Sequence, residues 1–335
     1  MKTRHANTPD KILVTGADGL LGSNLVRELL SRGYQVRAFT QPGRKVNTLD
    51  GLAIEKFEGD LLSKNSITNA LQGCRYVIHA AASTSIWPSR NEVARKINIK
   101  GTQNMAECAL EANLERMVYV GTANSYGFGT KENPGREENA YVAHKYKMDY
   151  LDSKYEAHQV VIETVKKGLN AVIVNPTFMI GPFDSGPSSG SMIIALAKKK
   201  IMGFTKGGRN YIYVKDVATA IANALTMGRS GQGYILGNAN LSYQEAFALM
   251  GKAMGVKPPQ RKIPDWAALL FGFLSSVKAR ISGNPPIISL PLAKIALDAH
   301  YFTPKKAIEE LKLPQTPLEV AIREAFEWFK ANNYV

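Results

Sequence analysis

The sequence predicts an α/β fold in which helices cover both faces of a doubly wound parallel sheet. Short runs rich in β-branched and aromatic residues alternate with amphipathic helical stretches from Lys11 to about residue 176. A glycine-rich turn joins the first run to the first helical stretch. At 335 residues the chain has room for one large domain or for two of ordinary size.

Each element follows from its local pattern. Six runs are predicted strands, at 11–16, 34–39, 53–59, 75–82, 116–122 and 169–176. The helices predicted between them are 19–32, 63–72 with Ser63 as N-cap, 91–113, and about 144–167, which Gly168 closes. Beyond 176 the rhythm breaks, with helices predicted at 191–200, 216–227, 242–254, 264–280 and 315–331 and strands near 210–214 and 233–236.

These elements predict the domain organisation. We expect a flexible N-terminus over residues 1–10 and a dinucleotide-binding domain of the Rossmann type over 11–176. Residues 177–335 are expected to form a smaller, mixed substrate-binding region, from which 210–237 crosses back to the first domain. No internal repeat interrupts this arrangement.

Composition limits the function classes. Hydrophobic residues make up 45% and charged residues 21%, as in a globular protein rather than a disordered one. The net charge of +14 indicates an anionic partner. No nucleic-acid-binding motif is present, so we expect the protein not to bind nucleic acid. Two cysteines exclude a disulfide framework, and the first ten residues lack the apolar core of a signal peptide, so we expect a cytoplasmic protein. We predict no metal site.

The turn after the first strand carries three glycines, Gly16, Gly19 and Gly22, at G-x-x-G-x-x-G spacing. Glycine allows a tight turn, close backbone approach to a pyrophosphate and close packing of helix on sheet. The free N–H groups at the start of the helix then face the anion. Asp60, after the third strand, is placed to accept a hydrogen bond from an adenine amino group, or else caps the next helix.

The end of the second strand bears on cofactor choice. A site for NAD usually has a carboxylate there for the ribose 2′-hydroxyl, but 37–45 contains none. Arg37, Arg44 and Lys45 offer cations for a 2′-phosphate, and Gln41 offers a further hydrogen bond. The pattern favours NADP(H) and leaves NAD(H) open; the alternative is a solvated basic loop.

Tyr150 and Lys154 lie four residues apart on a predicted helix and so project from one face. A nearby ammonium favours the phenolate form and lowers the pKa of a tyrosine. Thr122, at the end of the fifth strand, supplies a hydroxyl for a proton relay, with Ser125 as the alternative. Tyr141 and Lys145 share the same spacing, but the pattern Y-x-x-S-K-x-x-A favours Tyr150.

Together these segments resemble the extended short-chain dehydrogenase/reductase family. The segments are TGADGLLG (15–22), GDL (59–61), HAAA (79–82), NIKGT (98–102), YLDSK (150–154) and NPTFMIGP (175–182). They are most similar to the dihydroflavonol-reductase-like branch, which includes bacterial members labelled hopanoid-associated sugar epimerases. The resemblance continues through YVKDVA (213–218), GQGYILG (231–237) and 301–313.

The resemblance implies roles for individual residues. Tyr150 is the expected acid/base, Lys154 lowers its pKa and holds the nicotinamide ribose, Thr122 orients the substrate oxygen, and Asn98 stabilises the relay. The remaining cofactor residues that it implies are Asp18, Leu20, Leu21, Leu61, Ala80, Ala81, Ala82, Asn175, Pro176 and Thr177. Thr122 replaces a serine common in that branch, and Gln41 replaces an arginine, which weakens the case for NADP(H).

The resemblance leaves several chemistries, since reductases, epimerases and dehydratases of this family share the hydride step. Ala123–Asn124 occupy the positions where a dehydratase is expected to have Asp-Glu. We therefore do not expect the protein to catalyse dehydration. We expect reversible reduction of a ketone or aldehyde of a small, mostly apolar molecule. A nucleotide-sugar epimerase is the alternative enzyme, and a cofactor-binding redox sensor or interaction protein is the non-enzyme alternative.

Substrate contacts are expected from two loops and one predicted strand. The residues are Ser83, Trp87, Ala123, Asn124, Arg209 and Tyr211, with Arg209 a candidate for an anionic group. The segment 266–283 is apolar and then basic, which indicates a lid over the substrate pocket or, alternatively, a helix on a membrane surface. Helices 91–113 and 144–167 form a homodimer interface if the chain follows its family.

Overall fold

The computed structural model describes residues 9–44 and 46–335 and has the predicted α/β fold. Seven parallel strands form the large sheet, in the order β3-β2-β1-β4-β5-β6-β9. Its strands are β1 Lys11–Thr15, β2 Gln35–Thr40, β3 Glu55–Glu58, β4 Tyr76–His79, β5 Arg116–Val120, β6 Ala171–Pro176 and β9 Gly233–Leu236. The chain reverses direction across the sheet between β1 and β4, where open α/β sheets bind ligands beyond the carboxyl ends of their strands.

A second, smaller sheet lies in the C-terminal region. Its strands are β7 Phe178–Ile180, β8 Gly208–Tyr213, β10 Ala239–Ser242 and β11 Ala299–His300. β8 is central: β10 pairs with it antiparallel, and β7 and β11 pair with it parallel. The register of β11 sets His300 beside Arg209.

Eleven α-helices cover the two sheets within the described residues. They are α1 Leu20–Ser31, α2 Lys64–Leu71, α3 Glu92–Glu111, α4 Asp149–Lys166, α5 Ser191–Ala197, α6 Val214–Asn223, α7 Tyr243–Met254, α8 Asp265–Ser282, α9 Leu290–Ile295, α10 Lys305–Leu311 and α11 Leu318–Ala331. Side chains cap several of them: Ser63 accepts from the N–H of Ser66, and Ser242 forms a capping box with Glu245 at the start of α7.

The large sheet separates two apolar cores. Ile12 and Val14 of β1 point to the face covered by α1 and α6, whereas Leu13 points to the face covered by α2, α3 and α4. Successive side chains on a strand point to opposite faces, so a strand buried on both sides is apolar throughout. For this reason the six strands of the first half could be predicted from their apolar runs in the sequence.

The structure departs from the sequence expectations in three places. The helix predicted at 144–167 is broken: a 3-10 turn over Ala143–Tyr146 ends at Lys147, whose φ is +53°, and α4 begins at Asp149. Of the segment 210–237, β9 joins the large sheet but β8 belongs to the small one. Strands β7, β10 and β11 and helices α9 and α10 were not expected, because runs of two to seven residues carry little periodicity.

No helix in the described part of the chain is both long and apolar enough to cross a bilayer. The expectation of a flexible N-terminus concerns mostly residues 1–8, which lie outside the described residues, as does Lys45.

Candidate active site

The glycine turn brings two stretches of backbone into contact at the carboxyl end of β1. Gly16 has a φ of +67°, and a Cβ there would lie 2.8 Å from the backbone nitrogen of Ala81. A Cβ on Gly22 would lie 2.0 Å from the carbonyl oxygen of Gly16, so only glycine lets α1 pack this close to the sheet. Gly19 has no such crowding and begins α1 without a side-chain cap. The N–H groups of Leu20 and Leu21 therefore remain available to an anion.

A buried histidine holds this turn to the rest of the sheet. His79 Nδ1 lies 2.8 Å from Thr15 Oγ1, and Nε2 lies 3.2 Å from Thr102 Oγ1 on α3. Thr15 Oγ1 also accepts from the N–H of Ala81, at 3.0 Å. Burial lowers the pKa of His79 to about 3, so the ring is neutral at physiological pH. His79 is thus a structural residue, and Ala80–Ala82 line the edge that it positions.

The cationic residues on β2 and in the turn after it differ in their surroundings. Arg37 is buried: its Nε donates to Glu55 Oε1 at 2.8 Å, and its Nη1 donates to the carbonyls of Ala70 and Gln72. The expectation that Arg37 binds a 2′-phosphate is therefore wrong, because its register on β2 faces it toward Glu55 of β3. The Arg37 guanidinium is therefore bound by Glu55 and backbone carbonyls and has no role in binding the cofactor.

Arg44 and Gln41 are exposed in the turn that follows β2. Arg44 forms an ion pair with Asp18 of the glycine turn, which draws the loop against the expected cofactor edge. Since the pair is exposed on the arginine side, it adds little to stability and leaves the guanidinium open to solvent.

Asp60 and Leu61 follow β3 at the same edge of the sheet. Asp60 Oδ1 accepts from the N–H of Leu62 at 2.9 Å and Ser63, not Asp60, caps α2. The carbonyl of Leu61 accepts from Asn104 Nδ2 at 3.0 Å, and Gly101 gives the Leu61 side chain room on α3. The loop is thereby fixed while the Asp60 side chain stays exposed.

Tyr150 and Lys154 lie one turn apart on α4, as predicted. Tyr141 and Lys145 precede this helix and are separated from it by Lys147, which has a left-handed backbone conformation. Lys154 is buried, and its Nζ donates to the carbonyl of Val120 at 2.7 Å. That bond ties α4 to the carboxyl end of β5, two residues before Thr122. Burial lowers the pKa of Lys154 to about 7.

The electrostatics of Tyr150 differ from the expectation. Its pKa is raised, because burial penalises the phenolate, and the cation that acts in the opposite direction is Arg209. The structure therefore does not support a lowering by Lys154, whose ammonium is directed to the Val120 carbonyl. The resting state of the tyrosine is the protonated phenol.

Thr122 and Asn98 are both held by hydrogen bonds. Thr122 Oγ1 accepts from the N–H of Asn124, at the start of a 3-10 turn that packs against α4. Asn98 Nδ2 donates to the carbonyl of Ser83 and to Ser153 Oγ, and its Oδ1 accepts from the N–H of Ser83 at 2.7 Å. Asn98 thus fastens the loop after β4 to α4 beside Tyr150.

Asn175, Pro176 and Thr177 lie at the carboxyl end of β6. Asn175 is fully buried; its Nδ2 donates to the hydroxyl of Tyr126, and its Oδ1 has no hydrogen-bond partner among the described residues. Thr177 Oγ1 donates to Asn210 Oδ1 at 2.8 Å, which joins the large sheet to β8. An amide oxygen without a protein partner at this edge is compatible with a polar ligand nearby.

The expected substrate residues divide into two groups. Ser83, Trp87, Asn124 and Arg209 are partly exposed. Ala123 and Tyr211 are only 2% and 1% exposed. Ala123 packs with Tyr126, Ile235 and Phe302, so the expected direct contact of these two residues with substrate is not supported.

Arg209 has no carboxylate within ion-pair distance among the described residues. Its Nε donates to the hydroxyl of Tyr243 at 2.9 Å, and the guanidinium lies 5.0 Å from the ring centroid of Phe178. A partly buried guanidinium without a carboxylate partner keeps donors for a substrate oxygen.

A polar network that the sequence does not predict lies beside the site. His300 Nδ1 lies 2.8 Å from Asn124 Oδ1, and Nε2 lies 3.0 Å from the hydroxyl of Tyr146, which also donates to Asp298 at 2.5 Å. Lys145 pairs with Asp298 at 2.8 Å. The network supports the turn that carries Asn124. The two-residue strand that places His300 gives no sequence signal.

The site therefore combines an uncapped helix N-terminus, an exposed acidic loop and a Tyr-Lys pair at one sheet edge. These features fit a dinucleotide: the start of α1 suits its pyrophosphate, and Asp60 and the Arg44 turn flank the adenosine side. The model of the NAD dependent epimerase/dehydratase family matches residues 12–237. The chain belongs to this family. It is an NAD(P)-dependent oxidoreductase of the extended short-chain dehydrogenase/reductase type.

Known proteins of this family resemble the chain over nearly its full length. A Synechocystis sp. protein named as a dihydroflavonol 4-reductase is 33% identical over 97% of this chain and 96% of its own. The crystal structure of gox2253 superposes with a TM-score of 0.85 at 31% identity, covering 97% of this chain and 99% of its own. PA4631, a nucleoside-diphosphate-sugar epimerase from Pseudomonas aeruginosa, has a TM-score of 0.79 at 25% identity, covering 98% and 99%.

Two glycine substitutions separate packing from anion binding. Gly22→Ala should destabilise the protein by about 1–3 kcal/mol, because its Cβ meets backbone that cannot move aside cheaply. Gly19→Ala should leave stability within ~1 kcal/mol, since its φ of −78° suits alanine. It should nevertheless weaken cofactor binding by about tenfold, or ~1.4 kcal/mol, by placing a methyl at the helix N-terminus. Urea unfolding and fluorescence titration with NADPH measure the two effects. Unchanged cofactor affinity in Gly19→Ala would place the pyrophosphate elsewhere.

The buried histidines predict acid sensitivity. His79, His158 and His300 have pKa values lowered by burial to about 3, 4 and 3, whereas in the unfolded chain they titrate near the usual ~6.5. Below about pH 6.5 the unfolded state therefore binds protons that the folded state does not. Between about pH 6.5 and 5.5 the free energy of unfolding should fall, as the pH falls, by up to ~1.4 kcal/mol per pH unit for each histidine. Above about pH 7 it should rise further with pH, because Lys154, whose pKa is lowered to about 7, loses in the folded protein a proton that it keeps in the unfolded chain. Urea unfolding between pH 7.5 and 5.5 tests this.

A matched pair of variants isolates one proton. His158→Gln should reduce that slope by about a third, because glutamine does not titrate. Gln159→Ala, which changes the neighbouring exposed residue and removes no titratable group, should leave the slope unchanged. A free energy of unfolding that stays level from pH 7.5 to 5.5 in the unmodified protein would contradict the neutral buried histidines.

Proposed function

We propose that the protein is a reductase that prefers NADP(H) and converts a ketone or aldehyde of a small, mostly apolar molecule to an alcohol, reversibly. The observation that carries this proposal is the pairing of a protonated, partly exposed Tyr150 with a buried Lys154 beside Thr122. The similarity to a protein named as a reductase supports the direction of the reaction.

In this proposal Tyr150 is the acid. When bound, the reduced nicotinamide supplies a hydride to the carbonyl carbon. The Tyr150 hydroxyl gives its proton to the carbonyl oxygen, so that the C=O double bond becomes a CH–OH and a phenolate remains. A tyrosine that is protonated at rest suits this direction, because burial raises its pKa. Thr122 Oγ1 donates to the same oxygen and orients it.

Lys154 and Arg209 divide the work of charge stabilisation. The Lys154 ammonium is anchored on the Val120 carbonyl at the end of β5, where it is placed to hold the nicotinamide ribose and to return a proton to Tyr150. With its pKa lowered to about 7, it exchanges protons easily at neutral pH. Arg209 opposes the effect of burial on Tyr150 and stabilises the phenolate as it forms.

The preference for NADP(H) now depends mainly on Arg44, supported by Gln41. Arg37 is committed to Glu55 and cannot contribute. A bound 2′-phosphate would bring negative charge and several acceptor oxygens to this turn. It would compete with the Asp18 carboxylate for the Arg44 guanidinium. NAD(H) remains the alternative cofactor.

The rival enzyme function is nucleotide-sugar epimerisation, which the similarity to PA4631 and the unpaired charge of Arg209 favour. The non-enzyme alternative is a cofactor-binding sensor. Incubation with UDP-sugars, and separately with NADPH and a panel of apolar ketones and aldehydes, distinguishes the three. We further propose a cytoplasmic homodimer whose interface involves α3 and α4.

Tyr150→Phe should lower kcat for carbonyl reduction by at least about 100-fold, while the Kd for NADPH stays within about twofold. Removing the hydroxyl deletes the proton donor but leaves the ring packed with Met148, Leu151 and Ile295. Absorbance assays of NADPH oxidation give kcat, and fluorescence titration gives Kd.

Tyr141→Phe is the matched control, because Tyr141 has the same Y-x-x-x-K spacing but donates to Asp152 away from the site. It should keep its kcat. Full turnover in Tyr150→Phe would remove Tyr150 from the mechanism, and absence of turnover with every carbonyl despite tight cofactor binding would favour the sensor.

Arg44→Ala should weaken NADPH binding by about tenfold, or ~1.4 kcal/mol, and change NADH binding little. The reason is that only NADPH carries the phosphate that Arg44 is proposed to bind. Arg229→Ala, which removes a comparable surface ion pair with Glu310, should affect neither cofactor. Tighter binding of NADH than NADPH by the unmodified protein would overturn the preference.

A further inference from the structure

The outer face of α8 carries a stripe of large apolar side chains that no part of the described chain covers. Their exposed fractions range from 37% to 83%. Spacings of three, four and one residues place them along one face of the helix. We call them the α8 stripe: Trp266, Leu270, Phe273, Leu274, Val277 and Ile281.

The stripe is not what attaches α8 to the protein. The opposite face is narrow and buries small residues, Gly272, Ser276 and Ala279. A Cβ on Gly272 would lie 2.7 Å from the Ala293 Cβ, and Ser276 Oγ accepts from the N–H of Leu290 at 2.9 Å. A contiguous exposed apolar surface on a helix that is already anchored marks an interaction site.

The surroundings of the stripe are strongly basic. Segments 198–206 and 257–294 contain ten lysine and arginine residues and one acidic residue, a net charge of +9 out of the chain's +14. All ten cations are exposed, and the single acid, Asp265, pairs with Lys206. Backbone hydrogen bonds from Phe204 to Arg261 and from Ile263 to Phe204 join the two segments.

The cations also flank the stripe. On the wheel of α8, Lys278 lies on one side of the apolar face and Arg280 on the other. This is the arrangement of a helix that lies in the plane of a bilayer, with apolar side chains in the acyl boundary and cations at the headgroups. A second copy of the same face would bring nine excess positive charges against nine, which opposes self-association through it.

We propose that the α8 stripe and its flanking cations dock the protein on an anionic lipid bilayer, with α8 parallel to the surface. Each apolar side chain adds buried area in the boundary region, and each cation adds attraction to acidic headgroups. From its sequence, the segment 266–283 is expected to form either a lid or a membrane-surface helix. The uncovered stripe and the positive charge of the adjoining segments favour the membrane-surface helix.

Docking on this face sets the catalytic cleft beside the bilayer. A cavity of about 340 Å³ is lined by Leu269 of α8 and by Tyr146 and Asp298. Tyr146 is hydrogen-bonded to His300, which contacts Asn124 two residues after Thr122. Entry of a bilayer-dissolved carbonyl compound by this route is a consequence that depends on the proposed function; docking itself does not.

Vesicle sedimentation tests the docking. The full chain should bind vesicles of two parts phosphatidylcholine to one part phosphatidylglycerol, should bind phosphatidylcholine alone at least about tenfold more weakly, and should dissociate as salt is added. Leu270→Glu with Leu274→Glu should lower binding to the anionic vesicles by about tenfold or more. Lys278→Glu with Arg280→Glu should do the same.

Two control variants match these changes elsewhere on the surface. Ile308→Glu with Val320→Glu alters exposed apolar residues on α10 and α11, and Lys305→Glu with Lys330→Glu alters exposed lysines; both should bind vesicles normally. All variants should keep their thermal midpoint and their affinity for NADPH, which shows that they fold.

Three outcomes would overturn the proposal: equal binding to both kinds of vesicle, stripe variants that bind as the unmodified protein does, or no vesicle binding. In the last case, a dimer weakened by the stripe variants would identify a second copy as the occupant, and selective capture of an acidic protein would identify that partner. Turnover of water-soluble carbonyl compounds is measured separately, so failure of docking and failure of the proposed function are distinguishable.

Discussion

A neutral histidine in the interior fixes the edge of the sheet on which the site is built. His79 bridges β1 and α3, and Thr15, its partner on β1, in turn accepts the N–H of Ala81. The Thr15 hydroxyl lies 2.8 Å from His79 Nδ1, and the other ring nitrogen, Nε2, lies 3.2 Å from Thr102 Oγ1. Burial lowers the pKa of His79 and keeps the ring uncharged in this network. It holds the chain after β4 against Gly16, where the glycine turn leaves no room for a side chain.

Elsewhere in the site, buried polar groups likewise connect elements that are distant in sequence. Lys154 joins α4 to β5 through the Val120 carbonyl, and Asn98 joins α3 to the loop after β4 and to α4. His300 joins the small sheet to Asn124. Each bond is formed in a low-dielectric interior, where an unpaired partner would be costly, so the bonds rigidify the cleft. Rigidity of this kind holds Tyr150 and Thr122 in position for the proton transfer that we propose.

Elements with a local or periodic sequence pattern were predicted correctly. Residue environments that depend on partners distant in the chain were not. Strands buried on both faces and a glycine turn leave patterns within a dozen residues, and these were predicted correctly. Arg37 was misassigned because its fate depends on register with Glu55, eighteen residues away. His300 was missed because a strand of two residues has no pattern, and Ala123 was misplaced because it packs with Phe302 from the far end of the chain. The effect of Arg209 on Tyr150 needed the same tertiary information.

The positive charge illustrates how tertiary structure changes the interpretation of composition. Counted along the sequence, +14 appears diffuse, with local uses expected only for Arg37, Arg44 and Lys45 beside the dinucleotide and for Lys154 beside Tyr150. In the fold, two segments that are 50 residues apart are joined by the backbone hydrogen bond between Phe204 and Arg261 and by the Lys206–Asp265 ion pair, and together they carry a net charge of +9. Cations spread evenly over a surface mainly aid solubility, whereas cations that border an uncovered apolar helix favour an anionic apolar boundary. The proposed docking on lipid headgroups therefore involves segments that carry +9 of this charge, whereas the proposed site for a phosphorylated cofactor involves Arg44.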